Sequence, residues 1–381
     1  MEIYLDNAAT TQIRKEVLAS MEPYLSERYG NPSSMHKLGL EANSAVSESR
    51  EKIANILNCG ASEIIFTSGG TESVNLAIKG VAFAHKKGQI ITQKTEHHAV
   101  LHACEWLEKN GFKVTYLDVD KSGLVNPLDV ESAIRKDTIL VTIMYANNEI
   151  GTIQPIKEIA EICKKRKVLF HTDACQAAGY LDLDVKSLSV DLLTLNGSKI
   201  YGPKGIGILY VKKGTKITPI LHGGGQEFGI RSGTENVPSI VGLAKALELA
   251  QKEKDSEGKK LAKLRDKLIA ELLKIPNSQL NGHATKRLPN NANMSFYGVE
   301  GESVILMLNE KGIFASTGSA CSAKSIEASH VLLAIGLSHE LAHGSIRFSL
   351  GRQTREKDIS HVLQVFPKII SDLRGMSPVK T

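Results

Sequence analysis

The chain has 381 residues, a length that predicts two domains, each with its own hydrophobic core. Hydrophobic residues make up 42% and charged residues 23% of the chain, and the 32 glycines follow no repeat, so fibrous and low-complexity classes are excluded. The net charge of +6 is mild, and the basic clusters at residues 164–167 and 259–260 lie in helical patterns, so direct nucleic-acid binding is not expected.

The cysteines and the N-terminal residues indicate the cellular compartment of the protein. The five cysteines are widely spaced, and no pair has the C-x-x-C spacing of zinc knuckles or thioredoxin-type sites. A reducing setting therefore fits best. The first residues contain an acid, Glu2, and no apolar run, unlike a signal peptide, and no window is apolar over the length that spans a bilayer. We expect a soluble, cytoplasmic protein without a membrane contact.

The middle of the chain alternates short apolar runs with helical patterns. Strands are predicted at residues 63–67, 89–92, 113–117, 138–144, 168–172, 192–194 and 206–211, and helices follow residue 72 and cover residues 99–108 and 156–165. This alternation is typical of an α/β fold with a mostly parallel sheet buried between helices.

Beyond this region the pattern changes. A long helical stretch from Pro238 to about Lys274, with a charged centre, is predicted to bridge two domains. Strands at 293–296 and 345–349 and helices at 301–309 and 355–373 then predict a smaller α+β unit, to which the first residues are expected to return. We predict a large domain over residues 15–255 and a small domain over residues 1–14 and 256–381.

Six polar side chains lie where predicted strands end. In open α/β sheets, ligands bind at the carboxyl ends of the strands. Core packing does not explain so many polar groups at one edge, which therefore predicts a binding site. The six residues are Thr71, His97, Asn148, Asp173, Gln176 and Lys199.

Three of these positions suggest a cofactor, although each has a plainer explanation. The turn Ser68-Gly69-Gly70-Thr71-Glu72 can bind an anion at a helix N-terminus, or it is an ordinary capped turn. It is neither a dinucleotide fingerprint nor a Walker loop. Asp173 can cap a helix or pair with a pyridine nitrogen, and Lys199, in a glycine-rich turn, can lie at the surface or bond covalently to a cofactor.

The order of these motifs resembles the cysteine desulfurases of the NifS/IscS type, which are class V aminotransferases of the fold-type I group of pyridoxal-phosphate (PLP) enzymes. The likeness extends from Tyr4-Leu5-Asp6-Asn7-Ala8-Ala9-Thr10-Thr11 to Arg347-Phe348-Ser349-Leu350-Gly351-Arg352. It includes Thr95-Glu96-His97, Asn147-Asn148-Glu149-Ile150-Gly151 and Arg231-Ser232-Gly233-Thr234. Many long matches in the correct order are more specific than any single motif.

The resemblance implies the contacts of PLP. Gly70 and Thr71 would bind its phosphate, together with Thr234 of the other subunit of a homodimer. Asp173 would pair with the ring nitrogen, and His97 would stack on the ring and shuttle protons. The other implied cofactor residues are Asn148 and Gln176 at the ring oxygen, Lys199 as the covalent link and later acid and base, and Asn196, Gly197 and Ser198 in the turn before it.

The resemblance also implies the substrate and the sulfur acceptor. Arg347 would bind the carboxylate of L-cysteine through its planar guanidinium, with a structural salt bridge as the alternative role for this side chain. Cys321, in a small polar segment without periodicity, would attack the substrate sulfur, leaving alanine and a persulfide for an iron–sulfur scaffold, a tRNA thiolation protein or another acceptor. Lys324 or His330 is expected to promote the thiolate, whereas His98 and the other four cysteines are expected to be structural.

One turn departs from the family pattern and keeps alternatives open. The family usually has Ser-Gly-His-Lys where this chain has Asn196-Gly197-Ser198-Lys199, so weaker cofactor retention is predicted. The first alternative is a weakly active or inactive assembly partner, in which Cys321 is a metal ligand to a transient iron–sulfur cluster shared with a scaffold. The second is another class V reaction, such as selenocysteine lyase or a transaminase-like enzyme, although a transaminase would not need Cys321.

Overall fold

The fold is known from a computed structural model that describes residues 2–317 and 328–376. Its strands are β1 Ile3–Tyr4, β2 Ile64–Thr67, β3 Gln89–Gln93, β4 Lys113–Leu117, β5 Thr138–Thr142, β6 Leu169–Asp173, β7 Leu192–Asn196, β8 Gly207–Val211, β9 Ser278–Asn281, β10 Asn291–Phe296, β11 Ile313–Phe314 and β12 Ser345–Ser349. Its helices are α1 Lys15–Met21, α2 Pro23–Ser26, α3 Lys37–Leu57, α4 Gly70–His85, α5 His98–Lys109, α6 Pro127–Ala133, α7 Ile156–Arg166, α8 Val185–Leu188, α9 Val237–Leu272, α10 Gly301–Glu310, α11 His330–Ala334, α12 His339–His343 and α13 Glu356–Met376.

The main sheet has the strand order β2-β8-β7-β6-β5-β3-β4. Strand β8 is antiparallel to both of its neighbours, and all other pairs are parallel. Most of these strands are buried along their whole length because helices cover both faces of the sheet. Because β2, β3, β5, β6 and β7 all run in the same direction, their carboxyl ends lie at one edge of the sheet. The predicted α/β class with a mostly parallel sheet is confirmed.

A second, smaller set of strands lies in the C-terminal part. Strand β10 pairs antiparallel with β9 and β12, and β1 pairs parallel with β11. Ile3 and Leu5 are buried in the same hydrophobic cluster as the residues of these strands. The first half of α9 packs in the main cluster and its second half packs in the C-terminal one. The domain boundaries stay a prediction, which these two clusters support.

The differences from the predicted elements are local. Strand β5 ends at Thr142 rather than at residue 144, although Ile143 and Tyr145 still donate backbone hydrogen bonds to the carbonyls of His171 and Asp173 on β6. The elements that were not predicted are the long helix α3, the short helices α1, α2, α6, α8, α11 and α12, and the short strands β1, β9 and β11. Within residues 2–317 and 328–376, no helix has the length and apolar character needed to cross a bilayer.

Candidate active site

A cavity of about 380 Å³ lies at the carboxyl edge of the main sheet. All six polar residues predicted at the strand ends line it, and Gly70, Asn196 and Arg347 line it as well. The structure therefore brings together the six residues that the sequence places at the strand ends. The polar and titratable lining consists of Thr71, His97, His98, Asn148, Glu149, Asp173, Cys175, Gln176, Asn196, Lys199, His330 and Arg347.

One end of the cavity is formed by the start of helix α4. Gly69, with φ +147°, precedes the helix, and no side chain caps its first N–H groups within the described residues. The backbone is closely packed here, because a Cβ on Gly70 would lie 3.0 Å from Cys175 Sγ. Uncapped N–H groups, the positive end of the helix dipole and the Thr71 hydroxyl together suit a phosphate.

The turn that departs from the family pattern is well ordered by its own side chains. Asn196 Oδ1 accepts hydrogen bonds from Ser198 N–H at 2.9 Å and from Ser198 Oγ at 3.0 Å. Asn196 lines the cavity, and its Nδ2 lies 3.5 Å from the position that a Cβ on Gly70 would occupy. Gly197 and Ser198 do not line it. Their role toward a phosphate stays a prediction, whereas Asn196 lies where its amide can donate to one.

Asp173 and His97 lie on neighbouring parts of the cavity wall. Asp173 is the last residue of β6, and its Oδ1 accepts the backbone N–H of Cys175 at 2.9 Å. His97 caps helix α5, with Nδ1 accepting the N–H of Ala99 at 3.1 Å. In the neutral ring the proton therefore lies on Nε2. Burial lowers the pKa of His97, against the opposing charge of Asp173, so the ring is neutral at pH 7.

Residues 6–11 lie against the turn that carries Lys199. The Lys199 ammonium donates to the carbonyl of Ala9, and Gln176 Nε2 donates to the carbonyl of Ala8 at 3.0 Å. The backbone N–H and the hydroxyl of Thr11 both donate to the carbonyl of Ser198 at 2.9 Å. This segment therefore connects the C-terminal sheet to the turn that carries Lys199.

Arg347 enters the cavity from β12, and its side chain is 3% exposed. Its Nη2 forms an ion pair of 2.8 Å with Asp6 Oδ1, and its Nη1 donates to the Asn148 carbonyl at 3.1 Å. The guanidinium is thus held by groups from two distant parts of the chain, which fixes its plane at the cavity wall.

Two carboxylates near the cavity were not identified from the sequence. Glu96 is fully buried and accepts from Met144 N–H at 2.6 Å and from Gln93 Nε2 at 2.9 Å. Burial raises its pKa to about 8. Glu149 accepts from the Ser329 hydroxyl at 2.5 Å. Glu96 and Glu149 stand next to His97 and Asn148 in the sequence motifs given above, and this position could have indicated them. It did not reveal which groups they contact.

His98 was expected to be structural, yet it lines the cavity. Its ring lies 4.6 Å from the ring of His330 and is stacked at 5.0 Å on that of His102. Burial, and then the neighbouring imidazoles, lower the pKa of His98 to about 4, so the ring is neutral at pH 7. His330, whose Nε2 donates to the Glu96 carbonyl at 2.9 Å, also lines the cavity.

Several predicted residues are not placed in the cavity. Thr234 is exposed and does not line the cavity of its own chain. Cys321 and Lys324 lie outside the described residues. Among residues 2–317 and 328–376, no group of three or more His, Cys, Asp or Glu residues is arranged to hold a metal ion. The role of Cys321 as a cluster ligand therefore stays a prediction.

The described cysteines share a protonated state. Burial raises the thiol pKa of Cys59 and of Cys163 to about 12, and it raises those of Cys104 and Cys175 as well. Each is therefore a thiol at neutral pH and a poor nucleophile. Cys175 lines the cavity, and its raised thiol pKa makes it a poor nucleophile at neutral pH as well.

The residues present fit PLP. Gly70 and Thr71 offer a helix N-terminus to a phosphate, Asp173 offers a carboxylate to a ring nitrogen, and Lys199 offers a primary amine, all on one cavity wall. A Cβ at Gly70 would be tight against Cys175 Sγ at 3.0 Å, so a glycine suits this close packing at the start of the helix.

Comparisons with known proteins agree with this site. The family model described as Aminotransferase class-V matches residues 3–362. Cysteine desulfurase IscS of Methanosarcina thermophila is 58% identical over 379 residues, which cover 99% of this chain and 94% of the relative. Cysteine desulfurase IscS of Dictyoglomus turgidum is 56% identical over 382 residues, which cover 100% of this chain and 97% of the relative.

Solved structures give the same result. A NifS-like protein superposes with a TM-score of 0.92 at 40% identity, covering 98% of this chain and all of the other. A structure described as SspA in complex with cysteine superposes with a TM-score of 0.80 at 41% identity, covering 91% of this chain and 98% of the other.

Proposed function

Since this chain belongs to the class-V aminotransferase family, we propose that it is a PLP-dependent cysteine desulfurase, which converts L-cysteine to L-alanine and passes the sulfur to Cys321. The predicted resemblance to the NifS/IscS group is confirmed by the match over nearly the whole chain. The observation that carries the proposal is the meeting of Thr71, Asp173 and Lys199 on one cavity wall with Arg347.

The cofactor would be held by residues at the strand ends. Gly70, Thr71 and Asn196 would bind its phosphate, Asp173 its ring nitrogen, and Lys199 its carbonyl carbon. When bound, PLP withdraws electrons from the substrate and so weakens its Cα–H and Cβ–sulfur bonds. Asn148, Gln176 and His97 would complete the contacts with the ring.

The chain's own residues would bind the substrate and move its protons. The buried guanidinium of Arg347 would bind the carboxylate of L-cysteine. The Lys199 amine would take the proton from Cα and later return one. His97 is neutral at pH 7, because burial lowers its pKa, so it is able to accept a proton.

The sulfur step would use the thiolate of Cys321. A new S–S bond forms between this thiolate and the substrate sulfur, while the substrate Cβ–sulfur bond breaks. The bonding pair stays on Cβ, which takes a proton and becomes the methyl group of L-alanine. The four described cysteines support this assignment, because burial raises their thiol pKa values and makes them poor nucleophiles.

The finer parts of the function are further proposals. We propose a cytoplasmic homodimer that delivers sulfur to an iron–sulfur scaffold or another acceptor, and Cys321 as a transient cluster ligand during delivery. The exposure of Thr234 supports a contact with the second subunit. A chain assembled as a dimer would place this hydroxyl at the partner cavity.

The test follows alanine and sulfide release from L-cysteine under reductant with the PLP-loaded protein. We expect both products in equal amounts from the wild type. Cys321→Ala should lose both products in repeated turnover but keep the absorbance of bound PLP. Cys175→Ser is the matched control, since it removes a thiol from the cavity wall and should retain activity. Bound PLP with neither product in the wild type would contradict the proposal.

A further inference from the structure

Asp6 is an acidic residue beside the proposed carboxylate-binding arginine, Arg347. Asp6 Oδ1 lies 2.8 Å from Nη2 of Arg347, and the two side chains are 21% and 3% exposed. The Asp6 carboxylate has the same chemistry as the carboxylate of an amino-acid substrate. Asp6 is therefore already paired with the guanidinium group that the substrate carboxylate would need.

Two carboxylates on one guanidinium must repel each other. A substrate carboxylate on Arg347 would lie within a few ångströms of Asp6, in a site where Arg347 is almost fully buried. Like charges at such distances interact strongly, because water screens them poorly inside a protein. The second carboxylate consequently binds more weakly than it would to an arginine without an acidic partner.

The carboxylate of Asp6 is not needed to hold its own segment in place. Asn7 N–H donates to the Ser349 carbonyl at 3.2 Å, and Ala8 N–H donates to Ser349 Oγ at 2.9 Å. The Tyr4 hydroxyl donates to the main-chain carbonyls of Asp6 and Thr10 at 3.0 and 2.9 Å. None of these bonds uses the Asp6 side chain, which within residues 2–317 and 328–376 forms its ion pair with Arg347.

We propose that Asp6 is a positioning residue that weakens the binding of amino-acid carboxylates to Arg347. Together with the Asn148 carbonyl it fixes the guanidinium plane, and its charge offsets part of the positive charge. The result is a site that orients L-cysteine but releases L-alanine readily. This inference rests on the proposed function, because it takes Arg347 as the carboxylate-binding residue.

The test is the binding of L-alanine to the PLP-loaded Asp6→Asn variant, measured by isothermal titration calorimetry. Asparagine keeps the size and the accepting oxygen but removes the charge. We expect the Kd of L-alanine to fall roughly tenfold. The free energy that this change represents lies between the repulsion of two like charges in water and their repulsion near a protein surface. The KM for L-cysteine should fall in the same direction. Ethylamine, which is L-alanine without its carboxylate, should bind the variant and the wild type equally.

The matched control is Asp118→Asn, which makes the same charge change in an exposed pair with Lys94 away from the cavity. It should leave the Kd of L-alanine unchanged. Asp6→Ser, a second neutral variant, should act like Asp6→Asn and serves if the latter does not fold. Unchanged or weaker L-alanine binding in a folded neutral variant would overturn the inference, as would equal tightening for ethylamine. Failure of the proposed function is separate, since the wild type would then release no sulfide.

Discussion

Gly207, the first residue of β8, lies against Gly69 in the turn that is proposed to bind the phosphate of PLP. It pairs with Thr67 of β2 on one side and with Asn196 of β7 on the other. A Cβ at this position would lie 2.7 Å from the carbonyl carbon and 2.8 Å from the Cα of Gly69. It would also lie 2.8 Å from the Leu195 carbonyl oxygen. All of these are backbone atoms, so the methyl group of Gly207→Ala is accommodated only if a strand or the turn moves.

The size of the effect follows from overpacking. Extra methyl groups in a packed interior cost about 1–3 kcal/mol, and the rigid backbone neighbours place Gly207→Ala at the upper end of that range. Because Gly69 immediately precedes α4, the same movement would displace the first N–H groups of the helix from the proposed phosphate site. A loss of about 1.4 kcal/mol in that contact would raise the Kd of PLP tenfold.

Two assays separate these effects. Urea unfolding of the protein without PLP measures stability, and a titration with PLP followed by absorbance measures its affinity. Gly179→Ala is the control, because its Cβ would meet only Ile200 Cγ2 at 3.8 Å, an ordinary contact. If Gly207→Ala matched Gly179→Ala in both the unfolding midpoint and the Kd of PLP, the role given to the Gly69–Gly207 contact would be refuted.

Two further predictions concern buried charges. Arg50→Ala should lower the free energy of unfolding by about 3–5 kcal/mol, because it leaves Glu227, whose side chain is 1% exposed, without its partner at 2.7 Å. Lys37→Ala, in an exposed pair with Glu41, should change it by less than about 1 kcal/mol in the same urea assay. Glu96 has a folded-state pKa of about 8 against a usual 4.5, so its stabilising contribution is complete below pH 4.5 and is lost as the pH rises through 8. Glu96→Gln should therefore gain stability relative to the wild type between pH 5 and pH 8.5, and an equal difference at both pH values would contradict the buried, protonated carboxyl.

The parts of the fold that the sequence predicted are those with a strong local signal. Most strands of the main sheet are buried on both faces and rich in apolar residues, so their runs were evident, and the polar residues at their ends indicated a common edge. Helix α3 was missed because its buried face includes Gly39, Ala42, Ala45 and Ser49, which are too small or too polar to give a clear apolar stripe. The antiparallel direction of β8 depends on pairing with β2 and β7 and leaves no local mark.

Some residues of the candidate site could be predicted from the sequence, whereas the contacts between distant residues could not. Thr71, His97 and Lys199 could be found because each follows a strand and belongs to a motif. The ion pair of Asp6 with Arg347 joins residues 341 positions apart, and the bond of Glu96 to Met144 depends on the packing of β3 beside β5. Such contacts are set by tertiary structure, so composition and spacing could not predict them.

The most direct test of the proposed function is to map the sulfur. The PLP-loaded protein would be incubated with L-cysteine without reductant, alkylated and digested, and its peptides analysed by mass spectrometry with alanine measured in parallel. We predict one added sulfur on the peptide that contains Cys321, in an amount that matches the alanine formed. Alanine without sulfur on Cys321, or added sulfur on Cys175 instead, would contradict the account.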